Sequence, residues 1–287
     1  MRNEDELLAI RAAYAKKVTA GAPDAAVESA FARVRREDFL GPGPWARFAA
    51  MNHYVPTPDA DPAHLYDDSL FGLVPERGLN NGQPSWHAFL LAQAKPTPGE
   101  HIVHIGTGSG YYTAIMAEMV GSAGRVTGIE FDENLAARAK ANLAPYNDVK
   151  VVAGDGTTAP FDAADVIYIN AGATRPADTW LDRLSDKGRL IIPLTTADGF
   201  GLPDDGNFAA RGAVFLIDRR GDAFGAKWIS PVAVFPCAGA RDKASEQALA
   251  AALKTGRRSE VTRLYRTDSI PDERAFLKAP GWCLAYS

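Results

Sequence analysis

HIVHIGTGSGYYTAIMAEM, residues 101–119, reads as an apolar strand, a glycine-rich turn and a helix in immediate succession. Residues 101–105 suit a strand in a parallel sheet, and residues 111–120 carry helical spacing. Gly106, Gly108 and Gly110 permit the tight turn between them and let a ligand approach the backbone closely. The helix that follows opens with N–H groups that have no intrahelical partner. This arrangement places a small polar ligand at the carboxyl end of the strand. A dinucleotide fingerprint needs its third glycine one position later, where this chain has Tyr111, and a bulky side chain there hinders approach of a pyrophosphate.

The next two strands narrow the ligand. Residues 125–130 form the second, and Glu130 ends it, 20 residues after Gly110 (130 − 110), where a carboxylate can accept both hydroxyls of a ribose. At the end of the third, VVAGDGT (151–157) sets Asp155 between glycines, suited to accept from an adenine amino group. Any one of these residues alone is an ordinary turn glycine, a solvated strand end or a helix cap. The order strand, G-x-G-x-G, helix, strand, Glu, helix, strand, Gly-Asp-Gly points to a nucleoside cofactor. Gly106, Thr107, Gly108, Gly110, Glu130, Asp155 and Gly156 are the residues expected to bind it.

Further strands are expected at 149–153, 165–170 and 189–194, with helices at 134–143 and 179–184, the alternation of repeated βαβ units. The fold class expected is α/β: a doubly wound, mostly parallel, Rossmann-like sheet closed by an antiparallel pair at 213–218 and 227–235, with an N-terminal helical segment. That segment includes a helix over 24–39 capped by Asp24, and proline-rich connectors at 41–45 and 55–62. The boundaries expected are 1–80 for a helical and connector segment covering the substrate side, 81–236 for the cofactor-binding core, and 237–287 for a C-terminal helical extension.

At 46% hydrophobic and 23% charged residues the 287-residue chain can bury a large core, which excludes a disordered or coiled-coil chain. A net charge of −4 gives no overall drive toward nucleic acid or anionic membrane. Neither is expected as a partner. The opening MRNEDELLAIRAAYAKK (1–17) lacks the apolar run of a signal peptide, and no stretch approaches a membrane span. Cys237 and Cys283 suggest neither a disulfide framework nor a metal site. A cytoplasmic location is the expectation, and no metal is expected. The basic run KTGRRSEVTRLYR (254–266) reads as an exposed helical face. Asp198, Asp204 and Asp205 lack the order of a calcium loop. Oligomeric state is not legible.

IGTGSGYYTAIMAEMVG (105–121), VTGIE (126–130), VVAGDG (151–156), YINAGAT (168–174) and LDRLSDKGRLIIPL (181–194) together resemble the protein-L-isoaspartate O-methyltransferases, a class I S-adenosylmethionine-dependent family. LYDDSLFGLVPERGLNNGQPSWHA (65–88) resembles the segment this family places before its first core strand, and VESAFARVRREDF (27–39) resembles its N-terminal helix. The likeness runs from Tyr66 to Phe235. It implies S-adenosylmethionine as cofactor and a carboxylate as methyl acceptor, on a peptide, protein or small molecule. It also implies that Asn80, Asn81, Gly82, Gln83 and His87 line the cofactor and admit the substrate. Family members usually carry a serine where this chain has Gly82, and an acidic residue where it has His104.

The loop NAGAT (170–174) after the fourth strand is where the acceptor is expected to approach, with Gly82, Gln83, Asn170 and Thr174 as substrate-side candidates. It lacks the Asn/Asp-Pro-Pro-aromatic motif of methyltransferases acting on amino groups, which favours an oxygen acceptor. No residue is singled out as a certain catalytic group, because an acceptor carboxylate is already ionised at neutral pH. His87 reads equally as a locally bonded helix-face histidine and as a cofactor contact. His104 reads as an interior imidazole, and Tyr111 and Tyr112 as core packing. Two alternatives stand beside the leading one: a diverged methyltransferase with another acceptor, and a non-catalytic cofactor-binding module.

Overall fold

A computed structural model describes residues 2–50, 53–196 and 211–286. In chain order the helices are α1 (Glu4–Thr19), α2 (Ala25–Arg33), α3 (Pro84–Ala94), α4 (Tyr111–Val120), α5 (Glu133–Asn142), α6 (Asp178–Arg183) and α7 (Lys243–Lys254). The strands are β1 (Ala46–Ala50), β2 (His53–Pro56), β3 (Gly72–Val74), β4 (Leu79–Asn80), β5 (His101–Ile105), β6 (Arg125–Glu130), β7 (Val149–Ala153), β8 (Ala164–Ile169), β9 (Leu184–Thr195), β10 (Gly212–Arg220), β11 (Ala223–Pro231), β12 (Arg263–Tyr265), β13 (Ala275–Ala279) and β14 (Trp282–Ala285). They fall into two compact units, Met1–Glu100 with Thr107–Ala153, and His101–Gly106 with Gly154–Ser287.

In the first unit β6 and β7 run parallel, with Val126 opposite Val149 and Glu130 opposite Ala153. Helix α4 packs on β6, and α5 on both strands. The N-terminal helices form as their caps dictate. Asn3 and Glu6 close a capping box on α1, and the Asp24 carboxylate accepts the N–H groups of Ala26 and Val27 at the start of α2. The helix expected over 24–39 stops at Arg33. A short 3-10 turn, Arg36–Phe39, replaces its last part and delivers the Arg36 side chain inward.

Arg36 is fully buried. Its guanidinium donates to the carbonyls of Leu65 (2.6 Å), Asp67 (2.9 Å) and Ser69 (2.7 Å) and lies 5.0 Å from the centroid of the Phe71 ring. A charge that cannot be neutralised is tolerated there because three carbonyl oxygens and aromatic faces replace its water. The connector at 41–45 precedes, and the one at 55–62 overlaps, an antiparallel strand pair, β1 with β2, that the prolines concealed.

In the second unit the sheet order is β13-β14-β12-β11-β10-β9-β8-β5. β5, β8 and β9 are parallel, and every later neighbour is antiparallel. β5 is buried at all five positions, as an uninterrupted apolar strand of a parallel sheet must be. The antiparallel pair expected at 213–218 and 227–235 is β10 with β11, but the sheet does not end there. The C-terminal extension, expected to be helical, contributes one helix, α7, and three strands. Its basic run ends α7, makes a 3-10 turn and enters β12, where Arg257 pairs with Glu260 and Arg266 with Asp178 and Asp182. Segments of three to five residues between turns carry too few positions for a period to register. Asp198, Asp204 and Asp205 lie outside the described residues.

His104 on β5 is fully buried, edge-on to Tyr168 with ring centroids 5.6 Å apart, and burial pulls its pKa down to about 3. The unfolded chain therefore takes up a proton below about pH 6.5 that the folded chain refuses. Stability from this group is complete above pH 6.5 and is lost as the pH falls toward 3, by up to ~1.4 kcal/mol per pH unit. His104→Phe is expected to flatten the decline of the urea midpoint between pH 6.5 and 4.5. Parallel profiles for the two proteins would remove His104 as its source.

Candidate active site

In the first unit, strand β6 delivers Glu130 to the glycine loop. The side chain is 8% exposed, its Oε2 accepts the Gly108 N–H at 2.7 Å, and its Oε1 accepts the Asp132 N–H at 3.0 Å. Burial raises its pKa, opposed by these backbone hydrogen bonds. A carboxylate offers about four lone-pair sites, and with the Phe131 N–H also directed at it the group still keeps capacity for a ligand hydroxyl. Thr107 closes the loop from the other side, its N–H donating to the Ile129 carbonyl at 3.3 Å. Gly110 caps α4 with φ +101°, and a Cβ there would stand 2.9 Å from Leu143 Cδ1. Backbone sign and packing both demand glycine at that position.

The NNGQP stretch, residues 80–84, is built from its own polar side chains. Asn80 Oδ1 accepts the Gly82 N–H (3.0 Å), Asn81 Oδ1 accepts the Phe71 N–H (2.9 Å), and Gln83 Nε2 donates to Asp68 Oδ2 (2.9 Å). Asp68 also takes the N–H and hydroxyl of Ser85, which secures the start of α3. Asn81 Nδ2 is buried with no hydrogen-bond partner among the described residues, and is left as a donor for a ligand. Tyr112, in the first turn of α4, donates its hydroxyl to the Gly82 carbonyl at 3.1 Å and stacks on His87 with ring centroids 3.6 Å apart.

Gly82 has φ +76°, and a Cβ built on it would fall under 3.0 Å from His87 Nε2. The imidazole, fully buried, fills the space that a side chain at 82 would enter. Tyr111 is core, as expected: it is buried among Phe31, Phe39 and Tyr14.

In the second unit, Asp155 sits in the turn after β7. Its Oδ1 accepts both the N–H and the hydroxyl of Thr157 at 2.8 Å. Gly156 packs against Ile105, and its carbonyl accepts the Trp180 indole N–H at 2.7 Å. Gly106 (φ +82°) lies against the Asn170 backbone, and Asn170 Nδ2 reaches the Gly106 carbonyl at 3.4 Å. Thr174 is fully buried. Its hydroxyl accepts the Asp242 N–H at 2.8 Å, so it anchors the 170–174 loop.

The structure thus draws Gly108 to Glu130, Gly82 to His87 and Tyr112, and Gly106 to Asn170. Residues 236–242, which also meet this loop, were not among the expected site residues, because nothing local marks them as such. Among the described residues no cluster of His, Cys, Asp or Glu could hold a metal ion, and no helix is long and apolar enough to cross a membrane. Both cysteines are buried and free.

Comparison with known proteins gives a consistent answer. The family model described as Protein-L-isoaspartate(D-aspartate) O-methyltransferase (PCMT) matches residues 17–200. The chain is 32% identical over 163 residues to the protein-L-isoaspartate O-methyltransferase of Ignicoccus hospitalis, an alignment spanning 55% of this chain and 72% of that one. It is 38% identical over 103 residues to protein-L-isoaspartate O-methyltransferase 2 of Archaeoglobus fulgidus, spanning 33% of this chain and 46% of the relative, less than half of its length. Among solved structures, a putative Plasmodium falciparum protein-L-isoaspartate O-methyltransferase in complex with S-adenosyl-L-homocysteine shares the fold. Its TM-score is 0.57 at 15% identity, over 79% of this chain and 97% of that one. By its fold and by the match over residues 17–200, the chain belongs to the protein-L-isoaspartate(D-aspartate) O-methyltransferase family.

Proposed function

We propose that this protein transfers a methyl group from S-adenosylmethionine to a carboxylate oxygen, with an isoaspartyl peptide as the acceptor class its family implies. The observation that carries the reading is Glu130: a buried carboxylate at a strand end, tied to the glycine-loop amide of Gly108 with capacity to spare. Glu130 is assigned to the ribose hydroxyls and Asp155 to the adenine amino group. The glycine-loop backbone, with Asn80, Asn81 and His87, is assigned to the rest of the cofactor. The spare Asn81 donor and the remaining capacity of Glu130 fit such a ligand. On the acceptor side, Gln83, Asn170 and the Gly82 backbone remain the assigned residues, with Thr174 holding their loop. The domain reading follows this division: residues 81–236 carry the cofactor chemistry, and 1–80 cover the substrate side.

The cofactor supplies a methyl group on a positively charged sulfur, which an oxygen displaces in line. The protein's task is alignment and exclusion of water. An acceptor carboxylate, with a pKa near ~4, needs no general base at neutral pH.

Glu130 must be ionised to receive a ribose hydroxyl. Since burial raises its pKa in the free protein, affinity is full above that pKa and weakens as the pH falls through it, and binding at a pH where the free acid is partly protonated releases a proton. Calorimetry with S-adenosylhomocysteine is expected to show both effects. Glu130→Gln should abolish the proton release and weaken binding about 100-fold, as charge-assisted hydrogen bonding to the ribose is lost. Unchanged affinity in the variant would reject the cofactor assignment.

Gly82 favours a second reading, a cofactor-binding module without transferase activity, because no hydroxyl stands where relatives usually carry a serine. Transfer of radiolabelled methyl to an isoaspartyl peptide separates the two readings, and transfer is the expected result. Gly82→Ser should destabilise the fold by about 1–3 kcal/mol, since it combines a left-handed backbone with displacement of His87. Gly82→Ser with His87→Ala should recover part of the lost melting temperature by emptying the contested space. A calorimetric scan showing no recovery would mean that the ring is not what opposes the side chain.

A further inference from the structure

Residues 236–242 lie beyond the stretch matched by the family model, and they hold two parts of the candidate site at once. At one end they brace the loop after β8. Pro236 bridges to Gly172, the Cys237 N–H donates to the Gly172 carbonyl (2.8 Å), and the Thr174 N–H donates to the Ala240 carbonyl (2.8 Å). Arg241 donates from one guanidinium nitrogen to the Gly172 carbonyl (3.0 Å) and the Thr195 hydroxyl (3.2 Å). Asp242 then caps α7 through the Ser245 N–H at 2.8 Å, which ties the segment to a helix.

Gly239, between these anchors, lies directly against Asp155. A Cβ built on it would fall under 3.0 Å from both carboxylate oxygens. The φ of Gly239 is outside the left-handed range, so the backbone does not call for glycine there. The Asp155 carboxylate does, because it occupies the space a side chain would take. Thr157 holds the same carboxylate from within its own loop, through Oδ1. Between Thr157 and the Gly239 backbone the acid has one seat.

We propose that Gly239 is a positioning residue for cofactor selectivity: by lacking a side chain it lets residues 236–242 press Asp155 into the one orientation that accepts from the 6-amino group of adenine. The proposal rests on the methyltransferase reading, since it takes Asp155 as the acid that meets the purine. Arg241 acts through the same segment, by pinning it to Gly172 and Thr195.

The test compares S-adenosylhomocysteine with S-inosylhomocysteine, whose purine carries an oxygen in place of the amino group, by calorimetry on the full chain. The wild-type protein is expected to prefer the adenosyl compound by about tenfold or more, the worth of one hydrogen bond to a charged acceptor. Gly239→Ala should remove most of that preference, and Asp155→Ala the same. The double variant should be no worse than Asp155→Ala alone, because both substitutions act through one group. A merely structural role for Gly239 would weaken both compounds alike and leave their ratio intact.

Arg241→Gln loosens the segment without adding an atom beside Asp155. It should reduce the preference in smaller measure, and it decides the matter if Gly239→Ala does not fold. A wild-type ratio retained in Gly239→Ala, or in Arg241→Gln where that variant decides, overturns the proposal. Failure of the wild-type protein to bind S-adenosylhomocysteine at all overturns the methyltransferase reading instead.

Discussion

The candidate cofactor site turns on one hydrogen bond, from the amide of Gly108 to the carboxylate of Glu130. It joins a loop that must be glycine-rich to bend to a strand end that must be acidic to receive a sugar. The bond favours the ionised form of an acid whose pKa burial raises. Thr107 repeats the connection one residue earlier through Ile129, so loop and strand are fixed at two successive positions.

With Gly82 in a left-handed conformation, the imidazole of His87 lies flat on Tyr112, whose hydroxyl holds the Gly82 carbonyl. Position, ring and hydroxyl form one packed unit, and a side chain at 82 and an inward imidazole exclude each other.

Much of the architecture was legible because its signals are local. Strands β5, β6 and β7 and helix α4 fall at the bounds their sequences suggest, since each is one run of consistent period ended by a glycine, a proline or a polar cap. Asp24 caps α2 as its residue type suggests. The strands of the C-terminal extension were not legible. β12 is three residues long and becomes a strand by pairing with β11 and β14, which lie tens of residues away, while β13 and β14 are short runs that pair with each other across residues 280–281. The same holds for the end of α2, where the burial of Arg36 under three carbonyls overrides a helical pattern that ran on to Phe39.

The candidate site divides along the same line. The order of glycines, Glu130 and Asp155 along the chain was enough to name a nucleoside ligand, because that recognition depends on residue type at the ends of successive strands. Which polar groups remain available depends on what their neighbours have already claimed. Asn80 Oδ1 and Gln83 Nε2 are spent within their own loop and the Thr174 hydroxyl on residues 240–242, while Glu130 and the Asn81 amide keep capacity to spare. Hydrogen-bond capacity is shared among groups brought together from tens of residues apart, so only the folded chain decides which of its polar residues can still hold a ligand.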